Sequence, residues 1–371
     1  MFGHTVRFTA ALCVTLVALG SWALEWPDQA PVALDSPQRV VTRNPKIGVH
    51  TRLTDEAAPS KIQRTLRLVR EMGAAWMVEF FPWLYIETAK GVFDWTHADL
   101  VIDHATNQGL TVIARLGLVP AWARPDPRER ETTLNYLDAG RYADFGDFVY
   151  AFVDRYRGRV RHFVIWNEPN LGFEWGLRPV SAREYVELLK IAYRRAKQAD
   201  PAVIVLAGAL APTLEPEGSP AGLNDLVYLQ QMYDAGVAPY FDALAAHAYG
   251  LTAPMDDPPD PAHINFRRVE LLREIMLKNG DAEKPVYITE AGWNDSPRWN
   301  KAVSPAQRID YTLAAYAWAK SQAWIKMLAM WAFRYPRPAH TYQDNWTWVD
   351  EDFEPKPIYE EVQKYARTNE E

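Results

Sequence analysis

The feature that most constrains the fold of this chain is a regular alternation of short apolar segments with longer segments of helical period, beginning at residue 46. Short apolar segments predict buried strands, and apolar residues recurring every three or four positions predict amphipathic helices. The predicted strands are residues 46–50, 74–80, 110–115, 161–166, 202–207, 242–247, 285–289 and 327–333. The predicted helices are residues 59–72, 96–108, 141–157, 181–199, 222–234, 264–279, 304–321 and 356–366.

Strict alternation of strands and helices predicts parallel strands joined by right-handed crossovers, which is an α/β fold. Eight such units fit a (β/α)8 TIM barrel, which takes roughly 250 residues and grows by loop insertion. A doubly wound sheet is the alternative, but its glycine-rich fingerprint does not follow the first strand, where GVHTRLTDEA (48–57) stands. We therefore expect a single catalytic barrel domain over residues 46–371.

The segments that follow predicted strands are much longer than those that precede them. The long segments are residues 116–140, 208–221, 248–263, 290–303 and 334–355. In a barrel these are the loops that build the active face. The difference in length predicts that function lies at the carboxyl ends of the strands.

Two glutamates lie at that predicted face. Glu168 follows the fourth strand and Glu290 ends the seventh. Two carboxyl groups facing each other can cleave a glycosidic bond, because one protonates the departing oxygen while the other attacks the anomeric carbon. Singly, each glutamate could instead cap a helix or pair with an arginine; their shared placement favours a catalytic pair. Asn167 could hydrogen-bond a sugar hydroxyl, and Pro169 predicts an extended backbone for Glu168.

The segments WNEPN (166–170) and ITEAGW (288–293) resemble the signature of clan A glycoside hydrolases, the retaining (β/α)8 enzymes of the 4/7 superfamily. Family 39 is the most similar, with family 5 as a near neighbour, and the resemblance covers the frame of residues 46–366. It implies that Glu168 is the general acid/base and that Glu290 is the nucleophile.

The resemblance implies further site residues. In HAYG (247–250), His247 and Tyr249 match a motif in which the tyrosine hydroxyl contacts the nucleophile. Trp331, on the eighth strand, would be the platform for the sugar at the cleavage site. A core histidine and a barrel-core tryptophan are the alternative interpretations of His247 and Trp331.

Further candidates for substrate binding rest on position alone. They stand at or just after strand ends: His50, Trp83, Trp122, Trp175 and Trp293. Indole rings suit the flat faces of sugars, so these tryptophans together with Trp331 predict an aromatic-lined groove. Arg115, at the end of the third strand, could orient a carboxylate, bind an acidic sugar or form a buried ion pair.

The composition excludes some partners. A formal net charge of −7 gives no basic footprint for nucleic acid. No H-x-H follows the first strand and H-E-x-x-H is absent, so we expect no metal and no other cofactor. The acidic loop 255–263 reads better as a solvated rim than as a calcium site.

The N-terminal segment predicts export. Residues 1–23 have the basic start, apolar stretch and small-residue site of a signal peptide, or form an N-terminal anchor, and residues 24–45 form a linker or a wrapping arm. Without that segment the chain loses Cys13, its one cysteine. We expect a secreted or extracytoplasmic protein, with no stable membrane insertion unless the segment is retained.

The sequence as a whole predicts a retaining hydrolase of β-linked oligo- or polysaccharides. An exo-acting β-xylosidase-like enzyme, a non-catalytic carbohydrate-binding barrel and a transglycosylase are the alternatives. Family 39 xylosidases often carry a β-domain after the barrel, whereas this sequence ends near the last predicted helix. That departure favours polysaccharide cleavage over xylosidase activity.

Overall fold

A closed barrel of parallel strands forms the centre of the computed structural model, which describes residues 32–126, 128 and 131–368. The barrel strands are β1 Ile47–His50, β2 Trp76–Pro82, β3 Thr111–Gly117, β4 His162–Ile165, β5 Ile204–Leu210, β6 Ala243–Tyr249, β7 Val286–Gly292 and β8 Ile325–Met330. The main helices are α1 Pro59–Met72, α2 Thr96–Asn107, α3 Tyr142–Arg155, α4 Ala182–Ala199, α5 Asp225–Asp234, α6 Val269–Lys278, α7 Pro305–Ser321 and α8 Pro357–Arg367.

Each barrel strand pairs in parallel with its neighbours in the sequence, and β1 closes the barrel by pairing with both β2 and β8. Val49 is in register with Met77 on one side and with Met330 on the other. The predicted α/β fold class, a (β/α)8 TIM barrel, is confirmed. Within the described residues the eight predicted strands and helices all form, with boundaries shifted by a few residues.

Apolar side chains fill both faces of the barrel strands, which explains why the strand segments are almost continuously hydrophobic. One set of side chains fills the barrel interior: Val78, Ile113, Val164, Leu206, Ala245, Tyr287 and Met327. Their sequence neighbours belong to the larger core between strands and helices: Met77, Val112, Phe163, Val205, Leu244, Ile288 and Leu328. This double burial fixes the strand register, and therefore fixes which residues reach the carboxyl ends.

The described part of the predicted linker or arm packs against the barrel. The backbone N–H of Gln38 donates to the carbonyl of Asn107 at 2.7 Å, and that of Arg43 donates to Ala366 at 2.9 Å. Both acceptors lie at the C-terminal ends of outer helices, so residues 38–43 lie on the face opposite the active one. The predicted signal peptide, residues 1–23, lies outside the described residues. None of the described helices is long and apolar enough to span a membrane.

A small insertion after β2 was not expected from the sequence. It consists of a helical turn, Trp83–Ile86, and an antiparallel hairpin of Glu87–Ala89 with Val92–Phe93. Strands this short carry too few residues for a periodic pattern. The insertion determines where Trp83 lies, as described below.

Candidate active site

A cavity of about 1080 Å³ opens at the carboxyl ends of the strands, and both Glu168 and Glu290 line it. Its walls come from the loops that follow strands, including the long segments after β3, β5, β7 and β8. The loop lengths in the sequence therefore predicted the correct end of the barrel.

Glu290 is buried on β7 and is held by two partners. The hydroxyl of Tyr249 donates to Glu290 Oε2 at 2.8 Å, and the guanidinium of Arg115 forms an ion pair with Oε1. Burial alone would raise the pKa of Glu290. Electrostatic attraction from His247 and Arg115, together with the Tyr249 hydrogen bond, outweighs burial and lowers that pKa. Glu290 is therefore kept anionic, as a nucleophile requires.

Glu168 lies in the turn after β4, in a backbone conformation with φ of +40°. This corrects the expectation that Pro169 holds Glu168 extended. The backbone N–H of Glu168 donates to Ala209 at the end of β5 (3.1 Å), and its carbonyl accepts from Leu171 (2.9 Å). Left-handed backbone costs a non-glycine residue on the order of 1–3 kcal/mol and persists where the surroundings fix it. Here those two hydrogen bonds fix the turn that presents the carboxyl group.

His247 stands between the two carboxyl groups. Its Nδ1 lies 2.7 Å from Glu168 Oε1 and 3.6 Å from Glu290 Oε2. One oxygen of each glutamate and a ring nitrogen of His247 all lie within 4.8 Å of one another. Among the described residues, this is the set whose composition and spacing would also suit a metal ion, but Arg115 already compensates the charge of Glu290.

Arg115 connects Asn167 to the carboxylate pair. Its Nη1 donates to Asn167 Oδ1 at 2.7 Å while the same guanidinium pairs with Glu290. The guanidinium carbon also lies 4.8 Å from the ring centre of Phe80. Arg115 was expected to orient a carboxylate, to bind an acidic sugar or to form a buried ion pair. The structure supports the first and the third together, because the buried ion pair orients the Glu290 carboxylate.

Trp331 lies just beyond β8 and lines the same cavity as both carboxylates. Its indole N–H donates to the Tyr335 hydroxyl at 3.0 Å. His50 lies against its edge, with ring centres 4.6 Å apart, but is fully buried and does not line the cavity. Burial and the neighbouring Arg115 and Arg52 hold the pKa of His50 well below its usual range, so the ring is neutral. His50 therefore supports Trp331 from below.

The expectation of a groove lined by tryptophans at strand ends needs correction for Trp83 and Trp122. Trp83 is fully buried, and its N–H donates to the Glu87 side chain of the inserted hairpin. Trp122 is half-buried against Trp83, with its N–H on the Glu87 carbonyl at 2.9 Å. The Trp83 ring also packs against Phe145 and Phe148 of α3, and both indole N–H groups find their polar partner in the hairpin.

Trp175 and Trp293 also lie outside the cavity, which corrects their assignment as groove residues. Both are buried, and Trp293 stacks on Phe266 with ring centres 5.1 Å apart. The Trp293 N–H donates to the carbonyl of Ala253 at 2.8 Å. A position just after a strand places the backbone of a residue at the active face. The direction of its side chain is decided separately, by burial of the large apolar ring.

Further aromatic residues that line the cavity come from the long loops after β7 and β8, and sequence analysis missed them. Trp299 stacks on Tyr342 with ring centres 4.6 Å apart, and Trp346 lies 5.4 Å from Tyr249. All three loop residues line the cavity. The signal in the sequence is the dense aromatic segment HTYQDNWTW (340–348), which has no strand or helix period.

A third carboxyl group, Glu174, lines the same cavity and was also missed. It is half-buried, and Asn135 Nδ2 donates to its Oε2 at 2.7 Å. Burial, then repulsion from Glu168 and Glu290, raises the pKa of Glu174 to about 7. Such a carboxyl group keeps its proton in mildly acidic solution and can donate a hydrogen bond to a sugar hydroxyl.

Comparisons with known proteins agree with this fold. Solved structures with the same fold include a family 39 glycoside hydrolase from the gut symbiont Bacteroides cellulosilyticus WH2 (TM-score 0.69, 21% identity, 89% of this chain and 65% of that chain). A monomeric β-xylosidase from Caulobacter crescentus CB15 matches with TM-score 0.62 and 19% identity, over 88% of this chain and 69% of that chain. Native xylanase 10B from Thermotoga maritima matches with TM-score 0.54 and 17% identity, over 86% and 93%.

This chain spans 65% of the length of the first of these structures. At sequence identities of 17–21%, the structural similarity shows a shared fold. No curated protein matches the chain by sequence. Residues 143–358, more than half of the 371-residue chain, match the family model described as the glycosyl hydrolase catalytic core. This match confirms the predicted glycoside hydrolase. The chain belongs to the glycosyl hydrolase catalytic core family, and the protein is a glycoside hydrolase.

Proposed function

We propose that the enzyme hydrolyses β-linked oligo- or polysaccharides by double displacement, with Glu168 as general acid/base and Glu290 as nucleophile. The observation that carries this proposal is the separation of the two carboxyl groups, whose nearest oxygens lie within 4.8 Å. Retaining enzymes hold their carboxyl groups roughly 5–5.5 Å apart, whereas inverting enzymes need roughly 6.5–9.5 Å to admit a water molecule between sugar and base. The separation here is shorter than the inverting range and supports a retaining mechanism.

In the first step the Glu290 carboxylate attacks the anomeric carbon, and Glu168 donates its proton to the glycosidic oxygen. The bond between the anomeric carbon and that oxygen breaks, the leaving sugar departs as an alcohol, and an ester forms between Glu290 and the retained sugar. Arg115 and Tyr249 hold Glu290 in the ionised form and in a fixed orientation before the attack.

In the second step Glu168, now a carboxylate, takes a proton from a water molecule that attacks the same anomeric carbon. The ester bond to Glu290 breaks, and the sugar leaves with its original anomeric configuration. His247 contacts both carboxyl groups, so it stays within reach of the negative charge as that charge moves from one to the other.

The size of the cavity and its exposed rim favour cleavage within a chain over removal of single terminal sugars. Its volume of about 1080 Å³ lies above the ~300–1,000 Å³ of sites for small ligands. Large apolar side chains are exposed along the wall formed by the β3, β4 and β5 loops: Leu134, Phe173 and Leu214. The aromatic pair Trp299 and Tyr342 belongs to the β7 and β8 loops. Sugar units on both sides of the cleavage point would find apolar surface.

We also propose that the enzyme acts outside the cytoplasm, supported by the signal-like sequence of residues 1–23. A polymeric glycan substrate suits that location. The measurement is N-terminal sequencing of protein recovered from the expressing cell and its medium; a start near residue 24 in the medium is expected, and an intact Met1 confined to the cytoplasm would contradict it.

The test of the proposed function is turnover of a polysaccharide panel and of aryl β-glycosides by the full chain. Glu290→Gln and Glu168→Gln should each lower kcat by at least about 10³-fold, while the exposed control Glu283→Gln leaves kcat unchanged. With Glu168→Ala, added azide should restore turnover of activated substrates and give a β-glycosyl azide. An α-glycosyl azide, or unchanged hydrolysis by Glu290→Gln, would overturn the proposal.

A further inference from the structure

Arg52, in the loop after β1, lines the catalytic cavity and also an adjoining cavity of about 440 Å³. Its guanidinium carbon lies 5.3 Å from the ring centre of Trp331 and 5.7 Å from that of Tyr335. The positive charge is therefore beside the ring expected to carry the sugar at the cleavage site.

Arg52 has no acid partner within the described part of the chain, where it forms neither an ion pair nor a hydrogen bond, and its Nε is buried with no acceptor. The nearby Asp55 instead accepts a hydrogen bond from Tyr85 at 3.3 Å. Arg115, in the same cavity, also has a buried Nε without an acceptor, but unlike Arg52 it forms an ion pair, with Glu290. Buried donors without acceptors are costly and rare, so the open donors of Arg52 require an explanation.

The loop that carries Arg52 is held rigidly. Arg52 has φ of +58°, a left-handed conformation that is unfavourable for arginine. The buried carboxylate of Glu79 accepts from Thr51 Oγ1 (2.5 Å), Leu53 N (2.7 Å) and Thr54 Oγ1 (2.8 Å), on both sides of Arg52. Strained residues held by their surroundings are concentrated at ligand sites. A guanidinium fixed in this way loses little entropy when it binds a ligand.

The main cavity is lined by four glutamates, whereas the charges of the adjoining cavity, which Arg52 also lines, favour an anion. The adjoining cavity is lined by Arg52 and Arg337 and by a single acid, Asp55. Lys301, which is exposed, lines the main cavity. A planar guanidinium with several donors matches the two oxygens of a carboxylate better than any single sugar hydroxyl does.

We propose that Arg52 binds the carboxylate of a uronic acid residue, so that the substrate class is an acidic β-linked glycan. This proposal rests on the proposed function, because the carboxylate belongs to a sugar bound next to the catalytic pair. Arg52 is then a specificity-determining residue that contacts substrate and takes no part in proton transfer. A sulfate ester on the same sugar would present the same charge, and the experiment separates the two.

The test measures binding of D-glucuronate, D-glucose and D-glucose 6-sulfate to the full chain by NMR titration. Wild type should bind glucuronate about 10- to 100-fold more tightly than glucose, which is the range for a charge-assisted contact. Arg52→Gln should abolish this preference, Arg52→Lys should retain part of it, and Arg298→Gln, an exposed arginine outside the cavity, should leave it intact. Preference for the 6-sulfate over glucuronate would assign the site to sulfate esters and overturn the carboxylate.

Equal binding of glucuronate and glucose, or no detectable binding of glucuronate, would overturn the proposal. If Arg52→Gln fails to fold, Arg52→Lys still decides, because a preference fully retained in it would contradict a bidentate contact. Hydrolysis of uronic acid glycans and of the same glycans after chemical reduction of their carboxyl groups is measured in parallel. Hydrolysis without an acid preference refutes the Arg52 site alone, whereas glucuronate binding with no hydrolysis of any glycan refutes the proposed function.

Discussion

Two carboxyl groups in one cavity, Glu290 on β7 and Glu174 in the loop after β4, have opposite electrostatic environments. Glu290 is the more deeply buried, yet Arg115, His247 and Tyr249 lower its pKa. Burial and then repulsion from Glu168 and Glu290 raise the pKa of Glu174 to about 7, although Glu174 accepts a hydrogen bond from Asn135. The contrast shows that burial alone does not decide the protonation state of an acid in this cleft. Burial raises the pKa of both groups, and only Glu290 has an ion pair and a hydrogen bond that outweigh it.

The largest expected effect comes from removing Arg115, the cation that pairs with Glu290. Arg115→Met leaves Glu290 buried without a cation, so the free energy of unfolding at pH 7 should fall by about 3–5 kcal/mol. Lowering the pH toward 5 should recover part of the loss, because Glu290 then takes up a proton. Chemical denaturation at both pH values measures this, with Arg298→Met as the exposed control. A loss that is the same at both pH values would contradict an uncompensated charge on Glu290.

A milder change is Tyr249→Phe, which removes one hydrogen bond to Glu290 and little volume. A hydrogen bond to a charged group contributes about 1.5–3 kcal/mol, so kcat/KM should fall roughly 10- to 100-fold. The hydroxyl lowers the pKa of Glu290, so its removal raises that pKa. The acidic limb of the kcat/KM profile should therefore move to higher pH. A fall in kcat/KM with an unmoved acidic limb would mean that the hydroxyl acts on the substrate alone.

The smallest expected effect concerns the raised pKa of Glu174. The pKa of Glu174 is raised to about 7 in the folded protein, whereas in the unfolded chain it lies near its ordinary value. As the pH rises, the unfolded chain therefore loses this proton at a lower pH than the folded protein does. Glu174 therefore makes the free energy of unfolding fall as pH rises from about 4.5 to 7, by about 1–2 kcal/mol after allowance for partial exposure. Glu174→Gln should remove that part of the pH dependence, and Glu283→Gln should not. Unfolding curves that fall equally in wild type and Glu174→Gln would refute the raised pKa.

The sequence was sufficient to predict the barrel and the placement of Glu168 and Glu290 in one cavity, because both follow from strand position. Burial on two faces makes each strand apolar throughout, and the residue at its carboxyl end is then placed by register. Glu168 and Glu290 were found in this way. The same reasoning misplaced Trp83 and Trp293, since strand position does not determine which way a large ring turns.

Glu174 was missed because its environment is made by contacts between distant segments. Its partner Asn135 is 39 residues earlier, in the long loop after β3. That loop has no periodicity from which its path could be predicted. The left-handed backbone of Glu168 was missed for a related reason, because the acceptor that fixes it, Ala209, belongs to the next strand.

The most direct test of the central claim is covalent trapping with activated 2-deoxy-2-fluoro-β-glycosides, followed by mass spectrometry of the digested enzyme. The electronegative fluorine slows both steps, and the good leaving group keeps the first step fast enough for the glycosyl-enzyme to accumulate. We expect one sugar per chain, attached to the peptide that contains Glu290, and no label in Glu290→Gln. Attachment at Glu168 or Glu174, or turnover of the reagent with inversion and no attached sugar, would contradict it.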